Sequence, residues 1–220
     1  MKRLLGLCLL LAGCASTPPT PISAPVASPE LTWQSRQVQL GALQSWQLSG
    51  RVSVANDDEA WQLNVTWQQQ ADNYEIQITG PFGMGKVRLQ GSKDGVFLYD
   101  SDGHTYYAQE PDSLLLEHTG IFMPITSLYY WIRGLPDPAT GGIQIPQLDA
   151  WGRLVRLRQD GWSVDLKRYA RVDRLQLPDK LFIRNDQGIE VRVVIDKWNI
   201  YQGRGARDEG QGSAKPVYIN

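Results

Sequence analysis

From Gln44 to Ala55 the chain alternates apolar Trp46, Leu48, Gly50, Val52 and Val54 with polar Gln47, Ser49, Arg51 and Ser53. That is the period of a strand with one face in a core and the other in water. The alternation returns at Trp61, Leu63, Val65 and Trp67, and again at Tyr74, Ile76 and Ile78 after Ala71-Asp72-Asn73, which reads as a hairpin loop. Shorter runs at 87–90, 96–99, 106–108, 153–158, 162–167, 174–177, 181–184 and 189–198 continue the pattern, many of them joined by turns such as Lys93-Asp94-Gly95 and Asp186-Gln187-Gly188. About eleven strands joined by tight turns must be mainly antiparallel, because parallel pairs need long crossovers. A sheet that long curls or closes.

Helical spacing interrupts the strands in three places. Over Pro124 to Arg133, the residues Ile125, Leu128, Tyr129 and Ile132 fall at i, i+3, i+4 and i+7, and Gly134 and Pro136 end the run. Ser113 to His118 is shorter, with Asp112 as its expected N-cap, and Glu30 to Gln44 is led by Ser28-Pro29. A curled sheet with short apolar helices fits either a cup with a lid or a solid core.

The first residues, MKRLLGLCLLLAGC, place two cations before a short apolar run and small residues before a cysteine. This reads as a secretory signal peptide over 1–13, too short to span a bilayer. Leu11-Ala12-Gly13-Cys14 is similar to a bacterial lipobox, which makes Cys14 the expected lipidation site. Three acyl chains, at about 0.8 kcal/mol per buried methylene, would hold the chain in a membrane permanently. Ala15 stands where Asp is the usual inner-membrane retention signal, so the outer membrane, periplasmic face, is expected.

Residues 14–29 are rich in proline and read as an extended tether, 30–198 as a single domain, and 199–220 as a disordered tail. Cleavage before Cys14 would leave 20 basic and 23 acidic residues and no second cysteine, so no intrachain disulfide can form. A balance near neutrality lacks the basic footprint of a nucleic-acid binder.

Catalytic patterns are sparse. The two histidines, His104 and His118, stand apart in the sequence without zinc spacing, so no metal site is expected. No Gly-x-Ser-x-Gly elbow occurs, and Asp57-Asp58 reads as a solvated turn. Gly80 to Lys86, GPFGMGK, matches the outline of a phosphate-binding loop, but Val87 stands where Ser or Thr would hold magnesium. The next residues alternate like a strand instead of opening a helix, so the nucleotide reading is rejected. What remains is Phe82, supported by Met84, at a turn where solvent normally selects polar residues.

The lipobox, the tether, the segment GPFGMGKVRLQG and the run GIFMPITSLYYWIRGLPDPA at Gly120 to Ala139 resemble the outer-membrane lipoprotein receptor family LolB. The resemblance covers most of 30–198. It implies an open, eleven-stranded antiparallel β-barrel with helices as a lid over an apolar cavity. It further implies a non-enzymatic receptor that takes acylated lipoproteins from the periplasmic carrier LolA and inserts them into outer-membrane lipid. Neither ATP nor a cofactor beyond the covalent lipid is implied, and a monomer is expected. The family carries an apolar residue, usually leucine, on the loop between its third and fourth strands; here that position is Phe82.

The expected acyl-cavity lining is Trp46, Leu48, Trp61, Leu63, Val65, Trp67, Ile76 and Ile78, covered by Leu128, Trp131 and Ile132. The competing reading is a structural or assembly lipoprotein that docks onto another envelope protein through an exposed apolar patch. An envelope hydrolase finds little support.

Overall fold

Eleven strands pair edge to edge in one antiparallel sheet, in the order β6-β5-β4-β3-β2-β1-β11-β10-β9-β8-β7. The computed structural model describes residues 26–83, 85–139 and 144–201, the side chains of Phe82, Gln144 and Ile145 excepted. Cys14, most of the tether, Met84 and the tail beyond 201 lie outside the described residues.

The first half of the sheet runs through β1 (Ser45–Ala55), β2 (Ala60–Gln70), β3 (Asn73–Thr79), β4 (Val87–Ser92), β5 (Gly95–Tyr99) and β6 (Thr105–Ala108). The second half runs through β7 (Gln144–Leu148), β8 (Leu154–Gln159), β9 (Trp162–Val172), β10 (Leu175–Asn185) and β11 (Glu190–Ile200). The halves join where β11 pairs with β1, from Trp46 opposite Ile200 to Ala55 opposite Glu190. Gly50 sits at a register slip in this seam. A Cβ there would lie 2.3 Å from the Val194 carbonyl oxygen, so the two backbones approach as only glycine allows.

The free edges are β6 and β7, and the chain between them forms helices α2 (Pro111–Thr119) and α3 (Ile125–Trp131). A third helix, α1 (Pro29–Gly41), packs beside β7. The sheet is therefore open, as expected, and helices occupy the break.

The expected strand count was reached through two differences that cancel. The runs at 174–177 and 181–184 are one strand, β10, which passes Pro178 by slipping register against β9 between Pro178 and Lys180. The proline ends the ladder locally without ending the strand. The strand that sequence alternation does not reveal is β7, whose Pro146 masks its pattern and whose edge position tolerates it.

Further corrections concern boundaries. β11 continues through Ile200, two residues into the expected tail. Val26 donates its N–H to the Ala150 carbonyl at 3.0 Å, and Ser28 caps α1, so the end of the expected tether is fixed to the domain. Asp112 does not cap its own helix. Glu110 takes that position, and Asp112 instead accepts from the backbone N–H and hydroxyl of Thr126 at 3.1 and 3.2 Å, tying α2 to α3.

Candidate functional site

The inward faces of the strands meet the inner faces of α2 and α3 in one continuous apolar interior. Trp46, Leu48, Leu63, Val65, Trp67, Ile76, Ile78, Leu128, Trp131 and Ile132 are all buried there, and Trp61 is half-buried against them. Period-two alternation marked the strand residues whose side chains face inward. On α3 it is Trp131 that is fully buried, and Tyr129 turns its ring toward one end of the sheet.

That end holds an aromatic cluster around Trp46. Its ring centroid lies 5.3 Å from Trp198, 5.5 Å from Trp67 and 6.3 Å from Tyr129. Such offset and edge contacts suit the ring quadrupoles. Trp46 is wholly buried, yet its Nε1–H finds no acceptor among the described residues. An orphaned buried donor is costly, by about 1–3 kcal/mol.

The interior is almost filled. An apolar cavity of about 30 Å³ lies between Leu48, Val65, Ile76, Met123, Leu128 and Val193. Sites that enclose a drug-sized ligand run to about 300–1,000 Å³. A larger groove, about 400 Å³, opens outside it, where Trp67, Tyr74 and Gln109 face Ile125, Tyr129 and Tyr130 of the lid. Side chains of the protein itself thus fill most of the space between the sheet and helices α2 and α3.

Two buried polar clamps hold α3 and the segment after it. Gln159 of β8 accepts from Trp131 Nε1 at 3.2 Å and from the Asp137 N–H at 3.0 Å, and donates to the Asp137 carbonyl. Asp137 in turn accepts from the Ser127 hydroxyl at 2.8 Å. The second clamp is Arg133, 2 % exposed and, among the described residues, without a carboxylate in ion-pair range. It donates to the carbonyls of Tyr129, Leu40 and Leu43 and lies 3.8 Å over the Tyr129 ring. Burial lowers its pKa, partly offset by Tyr129 and Tyr130. The carbonyls at the end of α1 are a negative pole that suits a cation. Sequence reading missed both clamps. Arg133 ends an apolar helix and Gln159 precedes a turn, and only tertiary contact reveals that either is buried.

Phe82 lies in a single 3-10 turn, Pro81–Gly83, between β3 and β4, at the end of the sheet that carries the β1–β2 turn. Its flanking Gly83 and Gly85 adopt positive φ of 80° and 61°, as tight turning requires.

The histidines sit on the surface side of the fold. His104 Nδ1 lies 3.0 Å from Asp100 in a turn whose other N–H groups also bond that carboxylate. His118 stacks on Tyr106 at 3.7 Å. Asp100, Asp102 and His104 are the one grouping among the described residues with the reach to share a cation, and the Asp100 oxygens already serve the turn. No helix among the described residues is long and apolar enough to cross a membrane.

An open antiparallel sheet curled round an apolar interior and closed by helices defines the class of incompletely closed β-barrels with a helical cover. The comparisons with known proteins narrow that class. A LolA superfamily protein from Nitrosomonas europaea shares the fold, with a TM-score of 0.50 over 80 % of this chain and 95 % of that one, at 6 % identity. The profile of the family described as outer membrane lipoprotein LolB matches residues 44–198. The outer-membrane lipoprotein LolB of Nitrosococcus oceani is 35 % identical over 192 residues, covering 87 % of this chain and 93 % of that protein. The corresponding protein of Pseudomonas aeruginosa is 35 % identical over 167 residues, covering 76 % and 80 %. The chain belongs to the LolB family of outer-membrane lipoproteins.

Proposed function

We propose that the protein is an outer-membrane receptor that takes acylated lipoproteins from the soluble carrier LolA beneath its helical lid and releases them into outer-membrane lipid. The observation that carries this reading is the apolar interior sealed by α2 and α3, in a chain whose family is named for outer-membrane lipoproteins. A chain of about 15 methylenes gains roughly 12 kcal/mol on leaving water, so acylated cargo needs shelter at every step. Transfer follows differences in affinity, and a bilayer at the end of the series makes nucleotide hydrolysis unnecessary. No cofactor beyond the lipid on Cys14 enters this scheme.

In this reading the groove beside Trp67, Tyr74 and Tyr129 is where acyl chains are admitted. The side chains around Trp46, Val65, Ile76 and Leu128 part to receive them as the lid lifts. Phe82 then meets the bilayer, with Met84 beside it in sequence.

A filled interior also suits a docking lipoprotein, and Phe97, Tyr107 and Leu116 are exposed. One experiment separates the two. Radiolabelled lipoprotein held by LolA is incubated with the Cys14→Ala chain and then with outer-membrane vesicles. Movement of the label to the receptor and on to the vesicles is expected; retention on LolA refutes the proposal. The Phe82→Glu variant should accept cargo and deliver it poorly, and unchanged delivery would remove the loop from the scheme.

A further inference from the structure

The outward face of β8–β11 differs in charge from the rest of the molecule. Strand register sets Arg156, Asp165, Phe182 and Arg192 side by side in one cross-strand row. Arg158 and Arg184 flank that row on one side, through their shared neighbour Ser163, and Lys180 lies on the other, beside Val194. With Lys167, six cations surround Phe182, whose ring has Lys167, Lys180 and Arg192 within 5.4–5.9 Å.

Three acids nearby offset half of this charge and leave a formal excess of three cations. Asp165 is buried beneath it, in contact with Arg156 at 2.6 Å, Lys167 at 3.3 Å and Arg184 at 3.7 Å. Glu190 pairs with Arg192, and Asp186 lies 3.8 Å from Arg158 in the turn beyond β10. The opposite half of the sheet turns out Gln62, Gln68, Gln77 and Gln90, and the whole chain has a formal charge of -1. Positive charge is therefore concentrated on one broad face around an aromatic ring.

The chain leaves the domain next to this face. Val26 is fixed to Ala150 in the turn that joins β7 to β8. Only residues 15–25 separate it from Cys14, and an extended chain of that length reaches about 34 Å at roughly 3.1 Å per residue. A lipid on Cys14 would keep the cationic face at high effective concentration beside a bilayer.

We infer that the β8–β11 face is a docking surface for anionic phospholipid headgroups, and that it seats the domain on the bilayer that holds its anchor. The inference rests on membrane anchoring and is independent of cargo transfer. Basic side chains near an anionic surface each strengthen binding about five-fold, and salt screens the attraction over about 10 Å.

The test uses the Cys14→Ala chain without residues 1–13, so that no acyl anchor contributes. Its sedimentation is measured with vesicles of phosphatidylglycerol mixed with phosphatidylcholine, and with vesicles of phosphatidylcholine alone. Binding to the anionic vesicles should be at least about 100-fold tighter and should fall as salt is raised. Lys180→Glu/Arg192→Glu should weaken it by more than about 50-fold, and Lys180→Gln/Arg192→Gln by about 25-fold, each with an unchanged melting curve. Gln62→Glu/Gln68→Glu, on the neutral half, should cost under about 5-fold. Equal binding to both vesicles overturns the inference, as does equal loss in the two pairs of reversals. So does a result in which the β8–β11 variants lose capture by LolA and retain the vesicles. LolA-to-vesicle transfer, run in parallel, reports separately on the receptor reading.

Discussion

If cargo must lift the lid, weakening a clamp that exists only in the closed state should ease admission. Gln159→Leu removes such a clamp at nearly constant volume. It takes the acceptor from Trp131 Nε1–H and from the Asp137 N–H, and the donor from the Asp137 carbonyl, all in the buried interior. Each buried donor left unpaired costs about 1–3 kcal/mol, so the pair should cost about 4 kcal/mol. In a domain of this size that lowers Tm by about 8–16 °C, measurable by calorimetry. An open lid exposes the same donors to water, so the cost falls on the closed state alone. The open population should rise by as much as about 1,000-fold. Uptake of a fluorescent fatty acid, followed well below Tm, should therefore become faster or tighter. A stability loss under about 1 kcal/mol would refute the clamp. A full loss of stability with unaltered uptake would refute the lid.

Three further outcomes follow from single contacts. Gly50→Ala drives a Cβ to 2.3 Å from the Val194 oxygen and 2.9 Å from the Ile195 Cα, both backbone, so the seam between the sheet halves must part. A loss above about 3 kcal/mol is expected by urea titration. Asp112 is pushed above the usual carboxylate range by burial, with its Thr126 hydrogen bonds a partial offset. Its contribution is greatest below the unfolded pKa of about 3.9 and is lost as pH rises through the folded value. Asp112→Asn, which keeps the acceptor without the charge, should match or exceed wild-type stability at neutral pH, and Asp112→Ala should lose about 1–2 kcal/mol. Asp165 has the opposite sign. Burial alone would raise its pKa, but hydrogen bonds from Arg156 and Lys167 outweigh burial and hold it below the usual range. Its contribution is present above about pH 4 and lost as pH falls through the folded value, so Asp165→Asn should flatten the acid limb of a pH–stability curve.

Strand residues were legible because period two is a local property. Each inward residue from Trp46 to Ile78 announces its face through its neighbours two positions away. β7 and the middle of β10 were not, since Pro146 and Pro178 interrupt the local pattern and are tolerated through an edge position and a register slip. The lid helices were visible as periodicity. The polar groups that fasten them were not, because a buried Gln159 or Arg133 has no sequence signature distinct from an exposed one. Nor was the cationic face, which exists only once register brings β8, β9, β10 and β11 together. The degree of closure was equally hidden. Alternation marks inward side chains, and whether they leave a cavity or fill it depends on their volumes in the folded interior.

The two proposed membrane contacts have to share one domain. The tether leaves from the β7–β8 turn, next to Leu154, whose carbonyl accepts the Tyr169 hydroxyl; Tyr169 pairs with Pro178, whose carbonyl accepts from Trp198, opposite Leu48. That places the exit toward the Ser45 end of β1. Phe82 follows Thr79, which lies opposite Asn64 and hence Arg51, and so belongs toward the Ala55 end. The eleven residues of β1 span about 36 Å, close to the 34 Å reach of residues 15–25. The tether thus reaches nearly the length of the sheet, which lets the Phe82 end approach the bilayer that holds the anchor. With the cationic face down the strands lie along the membrane, and with Phe82 inserted they point into it. One orientation must give way to the other, so anionic lipid that holds the face down should slow delivery while leaving acceptance from LolA unchanged.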